Sequence, residues 1–136
     1  MSHHRRTVTA PGAPAAVGAY SHAVISGGLV FCSGQVPLDP ESGELVQGDI
    51  AAQATRCLES LASVCEAAGA TIADAVRVTL YLTDLPGDWG AVNEAYEAFL
   101  SAHGAADDPP ARVAIGVAAL PKGAPVEVDA VVALPD

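Results

Sequence analysis

The chain has 136 residues, of which 51% are apolar and only 16% charged, and it carries a formal net charge of −10. A single domain of this length (1–136) can bury a core without disulfides. Sixteen Asp or Glu stand against six Lys or Arg. That balance leaves no basic stripe for nucleic-acid phosphates and disfavours anionic membranes.

In chain order, residues 1–12 are expected to form a flexible N-terminal extension, and His3 and His4 are assigned no function. The Pro/Ala/Gly-rich segment Val8 to Val17 reads as extended. Tyr20–Ser26 and Leu29–Val36 read as two strands joined by the Gly27-Gly28 turn, where positive φ is tolerated. Pro37 to Gly48 carries the turn dipeptides Asp39-Pro40 and Ser42-Gly43 and reads as a loop.

Asp49 can cap a helix reaching Ala68, with Ile50, Ala54, Cys57, Leu61, Val64, Cys65 and Ala68 at helical spacing. Alternation follows: Val76, Val78, Leu80 and Leu82 face one way and Arg77, Thr79, Tyr81 and Thr83 the other, as in a half-buried strand. Asp88 is expected to cap a second helix with Trp89, Val92, Tyr96 and Phe99 inward. Arg112–Leu120 lacks alternation and reads as a strand buried on both faces. A turn at Lys122–Pro125 then leads into a last strand, Val126–Leu134. The order ββαβαββ predicts an α+β fold, one layer of sheet with two helices on one face.

No apolar run approaches the ~18 residues that span a bilayer, and no signal-peptide core follows the basic start. Cys32, Cys57 and Cys65 form no CxxC pair, so buried reduced thiols in a cytoplasmic protein are expected. A nucleophilic Cys32 would need an activating base that the sequence does not name. The apolar excess points to self-association.

Arg112 is the single charge in the run 109–121. Its guanidinium is always charged and presents a planar fork that fits a carboxylate, so in an apolar strand it needs a partner. Spacing alone favours an internal ion pair or a surface arginine over a ligand clamp. Glu127 and Asp129 leave one face of the last strand; a solvated sheet face is the plainer reading, a water-positioning base near Arg112 the functional one. Arg112 is expected on the strand beside them. Gly34 allows close approach to a ligand and Ser33 offers a donor and acceptor, although a β-bulge with a satisfied serine accounts for the pair equally. A Ser33/His22 triad lacks an elbow and an orienting acid, and His22 reads as a surface residue. The histidines show no metal-ligand spacing, and no phosphate loop or dinucleotide fingerprint is present.

Four segments in register extend this reading: Pro14–Val24 (PAAVGAYSHAV), Ser33–Pro37 (SGQVP), Val92–Phe99 (VNEAYEAF) and Pro110–Arg112 (PAR) followed by LPK at 120–122 and VEV at 126–128. Together they resemble the Rid family, the reactive-intermediate deaminases also called YjgF-like proteins. The resemblance runs from about Ala13 to the C-terminus. It implies a chorismate-mutase-like α+β fold, a homotrimer with three clefts between subunits, and hydrolysis of imines or enamines to a 2-keto acid and ammonia without metal or cofactor. It implies that Arg112 clamps the substrate carboxylate, that Glu127 activates water, that Tyr20, Ser33 and Gly34 line the cleft, and that the Ala114 carbonyl helps hold the water. The chain departs from the family at Ala19, where proline is common, at His22, where glutamine is common, and at Ala114, where many members carry cysteine. A non-catalytic metabolite-binding or chaperone-like trimer is the alternative, and a ribonuclease or translation inhibitor stands behind it because of the acidity.

Overall fold

The computed structural model describes residues 5–135; His3 and His4 lie outside them. Eight strands and helices follow one another: β1 (Arg6–Val8), β2 (Ala23–Ser26), β3 (Leu29–Gln35), α1 (Ile50–Ala67), β4 (Ala75–Leu82), α2 (Leu85–Ala102), β5 (Ala111–Gly116) and β6 (Val126–Ala133). The strands form one mixed sheet in the order β1-β2-β3-β6-β4-β5. This is the expected α+β architecture with one more strand at the front.

That extra strand corrects the reading of the N-terminus. Arg6–Val8 pairs antiparallel with β2, and Ala10 and Ala13 are buried, so the segment from Arg6 onward belongs to the domain. The Gly27-Gly28 turn has φ of 60° and 78°, the conformation that only glycine adopts without strain, and it closes the β2–β3 hairpin in the expected register.

Helix α1 starts where Asp49 accepts a hydrogen bond from the Ala52 amide at 2.9 Å, filling one of the orphan donors of the first turn. Its stripe of Ala54, Cys57, Leu58, Leu61, Val64 and Cys65 is fully covered. Helix α2 begins a turn earlier than Asp88. Asp84 is the cap, accepting from the Gly87 amide at 3.2 Å, and Pro86 sits in the first turn, where its missing N–H costs nothing.

Along β6, Val126, Val128, Ala130 and Val132 are buried against the helices, joined by Val78, Leu80 and Leu82 of β4. The opposite face carries Phe31, Tyr81, Glu127, Asp129 and Val131, and the helices lie away from it. Val76 breaks the alternation of β4: it falls at a register shift between Ala75 and Arg77 and is 48% exposed.

Two expectations about β5 are overturned. It pairs parallel with β4, and β4 pairs antiparallel with β6, so β4 separates Arg112 from the last strand. The two never form a hairpin. Nor is β5 buried on both faces, because it is the edge strand and Ile115 is 38% exposed. Its lack of alternation reflects apolar side chains that are only half-buried or exposed at this sheet edge. Among the described residues no helix is long and apolar enough to cross a membrane.

Candidate functional site

Glu127 and Gly34 are brought together by an irregularity between β3 and β6. The register shifts between Cys32 and Gln35, which turns Ser33 and Gly34 out of the regular ladder. The Ser33 hydroxyl donates to the Ser21 carbonyl, and its amide donates to the His22 carbonyl at 2.9 Å. Ser33 is therefore a satisfied serine in a bulge, as the plainer reading expected. Gly34 answers to close packing: a Cβ there would overlap the Glu127 carboxylate. The two residues lie face to face on one wall of a cavity of about 820 Å³, also lined by Tyr20, Pro14 and Lys122.

Glu127 and Asp129 share a sheet face but not a role. Asp129 accepts a hydrogen bond from the Tyr81 hydroxyl at 2.8 Å. Glu127 accepts no protein hydrogen bond among the described residues, and burial, with Asp129 as a second cause, raises its carboxyl above the ordinary glutamate range. A half-buried carboxyl with free lone pairs and raised proton affinity is suited to accept a proton from a bound group and return it.

His22 is not a surface residue; it is 5% exposed. Its Nδ1 accepts from the Ala10 amide and its Nε2 donates to the Pro14 carbonyl, both at 2.8 Å, which requires the neutral ring protonated on Nε2. The ring pins the segment that carries Pro14 and Tyr20 to the cavity rim. No member of a triad is formed. Lys122, which the sequence placed in a turn without a site role, adopts left-handed backbone (φ 60°) and donates through Nζ to the Gly43 carbonyl at 3.1 Å across the cavity mouth.

Arg112 sits elsewhere. It lines a second cavity, of about 450 Å³, with Tyr96, Pro109 and Pro110. Its Cα partner on β4 is Val78, whereas that of Glu127 is Tyr81. With strands about 4.8 Å apart and residues about 3.3 Å apart, the two Cα atoms are roughly 14 Å from each other. Their side chains also leave opposite faces of the sheet. Tyr20, Ser33, Gly34 and Glu127 gather in one cavity while Arg112 lines another, and Ala114, two residues beyond Arg112 on β5, lines neither.

The internal ion pair favoured by spacing is not formed. Among the described residues the one ion pair joins Arg56 to Glu59 at 3.4 Å. Arg112 Nη1 instead donates to Asn93 Oδ1 at 2.7 Å, and the guanidinium carbon lies 4.8 Å from the Trp89 ring centre and 5.3 Å from that of Tyr96. Trp89, Asn93 and Tyr96 stand at helical spacing on α2. The signal for Asn93 was a polar residue interrupting an apolar stripe.

The cysteines are free and buried. Burial pushes the Cys57 thiol up, and its contact with Cys32 does the same to Cys65. Among the described residues no cluster of three or more His, Cys, Asp or Glu side chains is arranged to hold a metal ion.

Known proteins resemble the whole chain. "Protein DfrA" of Myxococcus xanthus is 46% identical over 93% of this chain and 94% of its own length. The 2-iminobutanoate/2-iminopropanoate deaminase of Escherichia coli K12 is 40% identical over 93% and 95%. The crystal structure of the E. coli YjgF gene product superposes with a TM-score of 0.89 at 38% identity, covering 96% of this chain and 99% of that one. The family described as Endoribonuclease L-PSP matches residues 10–134, and the chain is therefore a member of that family, to which the YjgF-like, or Rid, proteins belong.

Proposed function

We propose that the protein hydrolyses 2-imino acids, the tautomers of reactive enamines, to 2-keto acids and ammonia, with no cofactor. The observation that carries this reading is Glu127: half-buried, hard against Gly34, without a protein hydrogen bond and with its proton affinity raised. The 40% identity to a protein named as an imine deaminase supports the same reaction.

In the proposed reaction Arg112 holds the substrate carboxylate through two parallel hydrogen bonds, which orients the C=N carbon. Glu127 takes a proton from water as the oxygen attacks that carbon. It delivers that proton to nitrogen to give the carbinolamine, then takes the carbinolamine hydroxyl proton and passes it to the amine, so that ammonia leaves as the carbonyl forms. The uncatalysed reaction already runs in water, so orientation and proton transfer suffice.

This scheme needs Arg112 and Glu127 at one ligand, and a single chain holds them roughly 14 Å apart on opposite sheet faces. A second copy supplies the missing half. The uncovered β5 edge, the exposed Ile115 and Phe31, and the family resemblance support a homotrimer whose clefts take Tyr20, Ser33, Gly34 and Glu127 from one subunit and Arg112 and Ala114 from its neighbour. The buried, unpaired thiols fit a reducing cytoplasm.

Freshly generated 2-iminobutanoate, trapped with semicarbazide, tests the reading. Added protein should shorten the lifetime of the imine; unchanged decay would leave a non-catalytic binding module. The family description makes RNA cleavage worth the same assay, and the −10 charge predicts none.

A further inference from the structure

Side chains of α2 surround the Arg112 guanidinium. An arginine has two edges that can bind a carboxylate with two parallel hydrogen bonds: the end, formed by Nη1 and Nη2, and the flank, formed by Nε and Nη2. Asn93 Oδ1 already accepts a hydrogen bond from Nη1 at 2.7 Å, and the Trp89 and Tyr96 ring centres stand 4.8 and 5.3 Å from the guanidinium carbon. Because an arginine only donates, the amide must present its oxygen, which leaves no ambiguity about which Asn93 atom faces it. Among the described residues no other acceptor engages the guanidinium.

We infer that Asn93 and Trp89 are positioning residues for Arg112, Asn93 engaging Nη1 at the end of the guanidinium and Trp89 covering its face, so that the Nε–Nη2 flank is left for the ligand carboxylate. Asn93 suits this task because it is neutral. An acid at that position would satisfy the charge internally and compete with the ligand, whereas an amide orients the group and leaves its charge uncompensated. Trp89 and Tyr96 lend their negative ring faces to the same end, holding the cation without neutralising it. The arrangement explains why an arginine on an acidic protein has no acidic partner. The inference rests on the proposed role of Arg112 as a carboxylate clamp.

Asn93→Asp, Asn93→Ala, Trp89→Leu and Trp89→Phe provide the test, with 2-oxobutanoate affinity, KM, kcat and melting temperature measured for each. Asn93→Asp should weaken 2-oxobutanoate binding and raise KM about tenfold or more, because the new carboxylate occupies the guanidinium. Its kcat should change little, and its melting temperature should hold or rise with the added ion pair. Asn93→Ala should lose less binding than Asn93→Asp. Trp89→Leu should cost about three- to fivefold in affinity, and Trp89→Phe should recover most of it.

A purely structural Asn93 would give the reverse order, with Asn93→Ala the worse variant and melting temperature falling in step with affinity. Asn93→Asp binding 2-oxobutanoate as well as the parent would overturn the inference. Arg112→Ala separates the two levels. If it abolishes 2-oxobutanoate binding while Asn93→Asp is silent, the inference fails and the clamp stands. If Arg112→Ala binds normally, the clamp itself fails and the inference falls with it.

Discussion

Arg112 and Glu127 occupy opposite kinds of environment. Arg112 lies on an exposed edge strand, its charge steadied by an amide and two aromatic faces and, among the described residues, paired with no acid. Glu127 lies half-buried beside a bulge, where desolvation and Asp129 make ionisation harder. On the proposed reading, one region keeps a permanent charge available for binding and the other holds a proton in play for chemistry. Neither cavity contains both functions, which is why each looks unremarkable in the isolated chain.

The contrast is sharpest for catalysis. Glu127→Gln keeps size and hydrogen bonding but removes the proton acceptor, so imine hydrolysis should fall about 10²–10⁴-fold while 2-keto acid binding survives. Asp129→Asn is the control on the same sheet face. Its carboxylate is engaged by Tyr81 and should matter far less to turnover. Equal losses in steady-state assays of the two variants would mean that only the acidity of the face counts.

At the other end, Arg112→Ala removes a charged hydrogen-bonding group worth roughly 1.5–3 kcal/mol and should lower kcat/KM at least about tenfold. Arg112→Lys retains charge without the fork and should weaken keto-acid binding, measured by calorimetry, with the fold intact. Loss of fold in Arg112→Ala would return the residue to a structural role.

The smallest effect is on stability. Because the Glu127 carboxyl is raised by burial first and Asp129 second, the folded chain holds that proton more tightly than the unfolded one. Ionising Glu127 therefore costs stability, which is complete below the unfolded carboxyl range and declines as pH rises through the folded value. Glu127→Gln cannot ionise. It should melt slightly higher than the parent at neutral pH, with the gap closing toward about pH 4. A gap that widens on acidification would reverse the assignment.

The local parts of this structure were legible before the sheet order was. The stripe from Ile50 to Ala68 and the Gly27-Gly28 turn each rest on nearby residues, and both appear where spacing put them. The insertion of β6 between β3 and β4 has no local signature, since its pairing joins residues as far apart in the chain as Leu29 and Ala133. For that reason Arg112 was placed beside the strand of Glu127. The His22 clamp was hidden similarly: its partners, Ala10 and Pro14, are backbone groups, which carry no side-chain signal. The bulge at Ser33-Gly34 was legible as an alternative, but the clearance that makes Gly34 necessary appears only when Glu127 packs over it.

The central claim is that one ligand site takes Glu127 from one subunit and Arg112 from another. Co-expression of Arg112→Ala and Glu127→Gln chains tests it directly. Each variant alone should be nearly inactive. In randomly mixed trimers about a quarter of the clefts would join an intact Glu127 from the first chain to an intact Arg112 from the second. The account predicts recovery of about a quarter of parental imine hydrolysis in the purified mixed trimer. Activity no higher than that of the two single variants, in a trimer shown to contain both chains, would contradict it.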